Sequence, residues 1–389
     1  MTVPNHGLVK ADRSAVALYV LFSLLTSLAS IYMWAGHTSH VFLCAGMLLA
    51  VFLGPIGYVI FIDCPGKLRT LLSSKIFWIV CLVAITATDS VRYSRHIRVY
   101  DQNPNTAAPA LIEPAKELAH GHDPYQAHLT EGAPISPGPG WIILLAPLTL
   151  SGGVALLLGL VLALCTYLVR LQSFSSAGLV LILVLMQPVL LEGSFVAHDI
   201  FVIPIFFACL CLLAEKWIDN SPRLVFLALI AAAFATSRLP MIILLLILCL
   251  GLFRLRPKAG LLFLSISLPL TLLIHGIFYL WTRADHIFYQ PFHLFSRGAK
   301  ATNHPLQLIG LLAVVLVAVS LFLRMKGRAE EWIAYSGLLL AAAFVPIGLG
   351  ELRLVHSHYQ IWEGANYVSF GASLLAIAVA LHYPRQSHR

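Results

Sequence analysis

Twelve apolar segments, separated by polar stretches, run through the chain from residue 15 to residue 382. Most contain about 20 residues, the length of helix that crosses the hydrocarbon core of a bilayer. Three of them, at 200–214, 223–237 and 239–253, are shorter, so the pattern fits any count from ten to thirteen spans. The twelve predicted spans are 15–34, 41–62, 71–88, 141–169, 175–191, 200–214, 223–237, 239–253, 259–281, 306–323, 331–350 and 365–382.

The composition excludes an ordinary soluble protein. Only 11% of the 389 residues are charged and 59% are hydrophobic, with a mean hydropathy of +0.86. Soluble domains carry roughly 25% charged residues, so this chain has too little polar surface to cover a water-soluble globule. The sequence therefore predicts an all-α polytopic membrane protein, with residues 1–389 forming a single transmembrane domain.

The distribution of cations predicts the orientation of the spans. With the N-terminus placed in the cytoplasm, 16 of the 25 Lys and Arg residues fall in the short inner segments, and nine fall in the longer outer ones. Such an excess on one side is typical of cytoplasmic loops. We therefore predict that both termini are cytoplasmic, and we attribute the net charge of +8 to membrane orientation rather than to nucleic-acid binding.

This orientation places a 52-residue loop, 89–140, on the outer face. Within it, the stretch from Ala110 to His120 has a helical pattern that stops at Gly121, a residue type that commonly ends helices. The Pro- and Gly-rich stretch 132–140 predicts a rigid turn. Trp141 follows, at a position typical of interfacial aromatic residues.

Carboxylates in this loop are candidates for a general base. Asp89 lies at the outer end of the third predicted span, where a carboxylate is costly unless it has a function or a partner. It could act as a base or metal ligand, or it could form an ion pair with Arg92 or Arg95. Asp101 and Glu113 are competing candidates, which could equally be solvated loop residues.

Polar residues at other outer positions are candidates for substrate binding. His198 and Asp199 open a short apolar segment, where Asp199 could either cap a helix or help to hold a substrate. Arg238 is the only cation between Arg223 and Arg254, and a contact with a phosphate or a lipid headgroup competes with simple anchoring.

Further cations and histidines fall on the same predicted face: Arg297, Lys300, Arg353, His356 and His358. They favour a basic phosphate pocket or a solvated face over a zinc site, since a third acidic or thiol ligand is missing from the pattern. Phosphate-binding loops and metalloprotease motifs are absent from the sequence. The seven cysteines lie in or beside apolar segments, so no disulfide framework is predicted.

Three stretches resemble the GT-C superfamily of membrane glycosyltransferases, in particular the polyprenol-phosphate-dependent mannosyltransferases. The first runs from Glu117 to Tyr125 and ends in Asp-Pro-Tyr, and the second is the proline-rich stretch from Ile135 to Leu148. The third is the pair His198–Asp199 at the start of a span. Two features depart from the family: the large loop follows the third span instead of the first, and no acid lies at 107–110, the family's usual spacing.

The resemblance implies transfer of a hexose from a polyprenyl-phosphate donor to a lipid or glycan acceptor, in the inner membrane of a bacterium. Carried over to this chain, it implies Asp89 as general base, with Asp101 next. Tyr125, His198 and Asp199 would contact the substrate, and the donor phosphate would lie among Arg238, Arg297, Lys300 and Arg353. No cofactor is predicted, and the sequence leaves a requirement for a divalent metal undecided. A transporter or lipid flippase and a non-catalytic scaffold are the alternative functions.

Overall fold

A computed structural model describes residues 13–37, 67–98, 107–129, 132–190, 197–293, 302–354 and 363–382. This described part is 84% helical and contains no strand, which confirms the predicted all-α class. The predicted span 41–62 lies outside the described residues, as do Asp101, Arg297, Lys300, His356 and His358.

The described helices, numbered in chain order, mostly coincide with the predicted apolar segments. They are α1 (Arg13–His37), α2 (Lys67–Leu72), α3 (Lys75–Arg98), α4 (Pro109–Ala119), α5 (Pro139–Leu150), α6 (Leu157–Gln172), α7 (Phe174–Leu185), α8 (Ile203–Lys216), α9 (Ser221–Ala235), α10 (Met241–Leu255), α11 (Pro257–Ala284), α12 (His304–Arg324), α13 (Ala329–Leu354) and α14 (Glu363–His382). Short 3-10 helices lie at Pro124–Gln126, Val154–Leu156, Asp199–Phe201 and Gln290–Phe292.

Five helices of the described part are long and apolar enough to cross a membrane: Lys75–Arg95, Val154–Gln172, Pro257–Ala284, His304–Arg324 and Ala329–Glu351. Six further apolar helices are shorter, among them Ser221–Ala235 and Met241–Leu255. The chain is therefore a helical membrane protein, and the count of twelve spans stays a prediction.

Helix α14 lies at the centre of the bundle. Its side chains from Tyr367 to Leu381 are buried without exception, and it packs against α1, α7, α8 and α13. Gly337 on α13 and Gly371 on α14 face each other so closely that a Cβ on either would lie 2.9 Å from the other's carbonyl oxygen. Small residues at such a crossing allow two helix backbones to approach, which is a common way of packing helices in membranes.

The predicted span 141–169 is wrong as a single helix. The structure divides it into α5 and α6 at residues 151–153, where Gly152 has a φ of +77°. That left-handed conformation is readily adopted by glycine and interrupts a right-handed helix. Helix α6, with the short 3-10 turn before it, is long enough to span without α5.

Helix α3 is longer than the predicted span 71–88, because it continues ten residues further, to Arg98. Ser90 and Ser94 donate hydrogen bonds of 2.7 Å to backbone carbonyls four residues earlier, so these polar side chains are satisfied within the helix. Asp89 consequently lies inside a helix and not at its end. The predicted outer loop thus begins as a helix, whereas its helix at 110–120 is confirmed as α4, with Gly121 at φ +79° just beyond.

Candidate functional site

A buried polar region surrounds the turn between α9 and α10. Each of these two helices has 15 residues and is about 22 Å long, so each is shorter than the roughly 30 Å hydrocarbon core. The turn, residues 236–240, is here called the hairpin tip. Thr236, Ser237 and Arg238 are all buried, so the tip lies inside the protein.

A buried ion pair holds the hairpin tip to the start of α8. Arg238 Nη2 donates to Asp199 Oδ1 at 2.9 Å, and Arg238 Nη1 donates to the carbonyl of Ser237 at 2.7 Å. The indole N–H of Trp141 donates to the other oxygen, Asp199 Oδ2, at 2.8 Å. The Arg238 side chain is 6% exposed and that of Asp199 is 1% exposed, so both charges depend on these partners.

These contacts keep Asp199 ionised. Burial alone would raise the pKa of its carboxyl group, but the charge of Arg238 and the hydrogen bond from Trp141 outweigh burial and lower this pKa to about 2. A carboxylate with such a low pKa and with both oxygens occupied is a poor proton acceptor. The role that fits Asp199 is therefore the positioning of Arg238.

The backbone before Asp199 is held in an unusual conformation. Ala197 has a φ of +53°, in the left-handed region that non-glycine residues rarely occupy. His198 then caps the 3-10 helix, because its Nδ1 accepts the amide N–H of Ile200 at 3.3 Å. This cap is made by His198, and the side chain of Asp199 turns instead toward Arg238. Strain of this kind is often retained where side chains must be positioned for function.

The segment that begins α5 covers the hairpin tip. The amide of Gly138 donates to the Ser237 carbonyl at 3.2 Å, and the amide of Trp141 donates to Thr236 Oγ1 at 3.1 Å. A Cβ at position 138 would lie 1.7 Å from the Thr236 carbonyl oxygen, so only glycine allows this approach. Trp141 is fully buried in the protein, so its side chain does not face lipid headgroups, and its N–H finds a buried acceptor in Asp199.

A series of aromatic and imidazole groups in contact extends from the segment before α5 to α11. The Tyr125 hydroxyl donates to the Pro137 carbonyl at 3.1 Å, and the Tyr125 ring meets the Tyr289 ring edge to face at 5.2 Å. The Tyr289 hydroxyl shares a hydrogen bond of 2.5 Å with His275 Nδ1. Burial raises the pKa of both tyrosines, so their hydroxyls stay protonated.

His275 lies level with the hairpin tip. Helices α9 and α11 pack together, and Thr271 on α11 donates to the Ala232 carbonyl on α9 at 3.2 Å. The two helices run in the same direction, so one turn further along each of them brings His275 to the level of Thr236. Within the described structure, the second ring nitrogen of His275 is buried and has no hydrogen-bond partner.

Asp123 is a second buried carboxyl group on this side of the bundle. Its Oδ1 accepts the amide N–H of Tyr125 at 3.0 Å, and its Oδ2 is also buried. Burial raises the pKa of Asp123; the Tyr125 amide and the Thr282 hydroxyl oppose this rise, and the charge of Asp285 adds to it. Within the described ranges, His, Cys, Asp and Glu side chains do not form any cluster of three that could hold a metal.

An apolar groove opens beside the hairpin tip. Its cavity of about 530 Å³ lies between α10, α12 and α13 and starts at Leu239 and Pro240, next in sequence to Arg238. Thr302 and Gln307 are its polar lining residues, and Gln307 donates to the Thr302 hydroxyl at 3.1 Å. The volume is within the range of about 300–1,000 Å³ that is usual for ligand pockets.

The structure thus brings four of the predicted site residues into one region: Tyr125, His198, Asp199 and Arg238. Asp89 is buried on α3, which packs against α6 and the 3-10 turn at 154–156, and the described contacts of Asp199 and Arg238 do not include it. Arg353 belongs to the last turn of α13, where side chains are not described.

Sequence reasoning missed the residues that complete the region: Thr236, His275 and Tyr289. A lone histidine in an apolar helix was the available signal for His275, and the Thr-Ser pair before Arg238 was the signal for the tip. Comparison of the chain with known protein families, with curated proteins and with solved structures finds no match.

Proposed function

We propose that this protein is a membrane enzyme that transfers a sugar from a polyprenyl-phosphate donor to an acceptor at the membrane surface nearest the hairpin tip. The observation that carries the proposal is the pairing of a fixed, buried arginine with an adjoining apolar groove. A lipid phosphate needs both, since its headgroup is anionic and its chain is apolar. The resemblance to the GT-C superfamily adds the sugar-transfer chemistry.

Arg238 is suited to an anionic leaving group. A guanidinium has five N–H donors in a rigid plane, and the described contacts of Arg238 engage one donor to Ser237 and one to Asp199. Further donors can therefore meet a phosphate without loss of the ion pair. Because Asp199 and Trp141 fix the guanidinium in advance, its charge is already oriented when the phosphate leaves.

The groove is suited to the lipid chain of the donor. It borders Leu239 and Pro240, so a chain in the groove would end beside Arg238. Thr302 and Gln307 at its α12 end can meet polar atoms of the headgroup, whereas the rest of the lining suits an isoprenoid tail. We place the donor in this groove with its phosphate at Arg238.

Two carboxyl groups of the described chain are candidates for the general base. Asp89 is the one that the family resemblance implies, and Asp123 is the one whose raised pKa suits proton transfer. A base of this kind is worth roughly 10²–10⁴-fold in rate. Asp89→Asn and Asp123→Asn therefore separate the two, because only the variant that lacks the base loses transfer to that extent.

A transfer assay tests the function itself. The purified protein in lipid nanodiscs is incubated with membrane extract as acceptor and with the short-chain polyprenyl-phosphate derivative of mannose, glucose or galactose. Release of polyprenyl phosphate that depends on the acceptor is measured. We expect release by the wild type and its loss in Arg238→Gln, with normal release in Arg283→Gln, which removes an exposed cation of α11. Absence of release with mannose, glucose and galactose donors would contradict the proposal.

Transport of a lipid phosphate is the second candidate, and the interruption of the helix pair α5–α6 favours it. Broken helices near a binding site are typical of transporters, where freed backbone groups meet the substrate. The two functions differ in proteoliposomes that contain fluorescent polyprenyl-phosphate mannose and membrane extract as acceptor. Movement of the label between leaflets with the mannose still attached identifies a flippase. Transfer of the mannose to the acceptor without movement of the label identifies a transferase.

A further inference from the structure

Two turns at the end of the bundle away from the hairpin tip lie in direct contact. One joins α10 to α11 at Arg256, and the other joins α12 to α13 at residues 325–328. A Cβ at Gly327 would lie 2.9 Å from Leu255 Cγ, so the turns touch. Arg254 also donates to the carbonyl oxygens of Met325, at 2.8 Å, and of Phe322. These bonds fix the two turns as one surface.

This surface carries an excess of exposed cations. Arg256 is paired with Asp219, and Arg328 lies 3.8 Å from Glu330. By contrast, Lys258, Arg324 and Lys326 form no ion pair with any described residue. The six exposed cations of the two turns are Arg254, Arg256, Lys258, Arg324, Lys326 and Arg328.

Large apolar side chains stand exposed directly beside these cations. Phe322 is 62% exposed and Leu323 is 71% exposed, both on the last turn of α12 next to Arg324. Leu255 and Phe253 are also exposed, at the end of α10. A free anion would be held by the cations alone, whereas an anionic phospholipid would also cover the apolar side chains with its acyl chains.

We propose that this two-turn surface binds the headgroup of an anionic phospholipid, with the phosphate held by Lys258, Arg324 and Lys326 and the acyl chains lying against Phe322 and Leu323. Basic pockets between membrane helices recognise such headgroups. Cations at the end of a single helix are common in membrane proteins. In this surface, by contrast, Arg254 holds together two turns that are about 70 positions apart in the sequence. The proposal is independent of the proposed transferase function, because the hairpin tip lies at the other end.

Binding of a short-chain phosphatidylglycerol to the purified protein in a zwitterionic detergent tests the proposal. Each cation near a headgroup is worth about fivefold in affinity, so the triple variant Lys258→Gln/Arg324→Gln/Lys326→Gln should bind about 100-fold more weakly. The matched control Lys75→Gln/Arg95→Gln/Arg283→Gln removes the same charge from exposed positions elsewhere and should bind like the wild type. The charge-preserving variant Lys258→Arg/Arg324→Lys/Lys326→Arg should also retain binding.

Three results would overturn the proposal. The first is a wild type whose affinity for phosphatidylglycerol exceeds that for phosphatidylcholine by less than about threefold. This result does not depend on the folding of any variant. The second is a well-folded triple variant with wild-type affinity. The third is inorganic phosphate competing as well as the lipid at equal concentration, which would assign the cations to a free anion. Size-exclusion profiles establish that the variants are folded, and transfer activity at the hairpin tip should be the same in all of them.

Discussion

Replacing Asp199 by alanine tests whether the buried ion pair holds the hairpin tip in place. The substitution leaves the Arg238 guanidinium, 6% exposed, without its carboxylate, and it leaves the Trp141 N–H without its acceptor. Removal of one partner of a buried ion pair typically costs about 3–5 kcal/mol. The lowering of the Asp199 pKa from 3.8 to about 2 corresponds to about 2 kcal/mol, which is of the same order.

This cost translates into a measurable shift in thermal unfolding. An unfolding entropy of about 2.1 cal/mol/K per residue gives about 0.8 kcal/mol/K for the whole chain, so Tm should fall by about 4–6 °C. Tm is followed by intrinsic tryptophan fluorescence of the protein in nanodiscs at pH 7. Because the pKa of Asp199 is lowered by folding, the ionised group stabilises the protein above pH 3.8, and this contribution is lost as the pH falls toward 2.

The double variant Asp199→Leu/Arg238→Met provides the control. Replacing a whole buried ion pair by apolar residues is often close to neutral, so the double variant should be more stable than Asp199→Ala even though it has two substitutions. Its activity should nevertheless be lost, because Arg238 is gone. A fall of less than about 1 °C in Asp199→Ala, or a double variant less stable than the single one, would refute the reasoning.

Three further predictions concern Gly138 before α5, the apolar groove and Asp123. Gly138→Ala should lower both Tm and donor affinity because its Cβ meets the Thr236 carbonyl, whereas Gly276→Ala, with open space around it, should leave donor affinity unchanged. Leu311→Trp should narrow the groove and raise the KM for the donor, with little change in Tm because Leu311 is 61% exposed. Asp123→Asn should raise Tm at pH 7 and lose this advantage below pH 3.8, since folding raises the pKa of Asp123 and so disfavours its ionised form; equal Tm values at pH 7 would contradict this.

Hydropathy predicted most of the helices, because a buried or lipid-facing helix needs apolar residues in long runs. It failed where backbone conformation decided the outcome. The run 141–169 is uniformly apolar, yet Gly152 at φ +77° interrupts it. In α3 the predicted span ended too early. The hydroxyls of Ser90 and Ser94 form hydrogen bonds within the helix, so the helix continues beyond the apolar run.

The candidate site was predicted only in part, for a related reason. His198, Asp199 and Arg238 could be singled out because polar side chains are conspicuous among apolar residues. Their pairing could not, since Asp199 and Arg238 are 39 positions apart and meet only when α8 packs beside the α9–α10 hairpin. The hydrogen bond from Trp141 to Asp199 could not be predicted for the same reason, since the two residues are 58 positions apart.

The proposed function requires a lipid phosphate to bind at Arg238 with its chain in the adjoining groove. The most direct measurement is a cryo-EM map of the protein in nanodiscs with a short-chain polyprenyl phosphate, beside a map of Arg238→Gln under the same conditions. We predict phosphate density against the Arg238 guanidinium, continuous with chain density between α10, α12 and α13, and its absence in the variant. An empty groove in the wild type, or the same lipid density in both maps, would contradict the proposal.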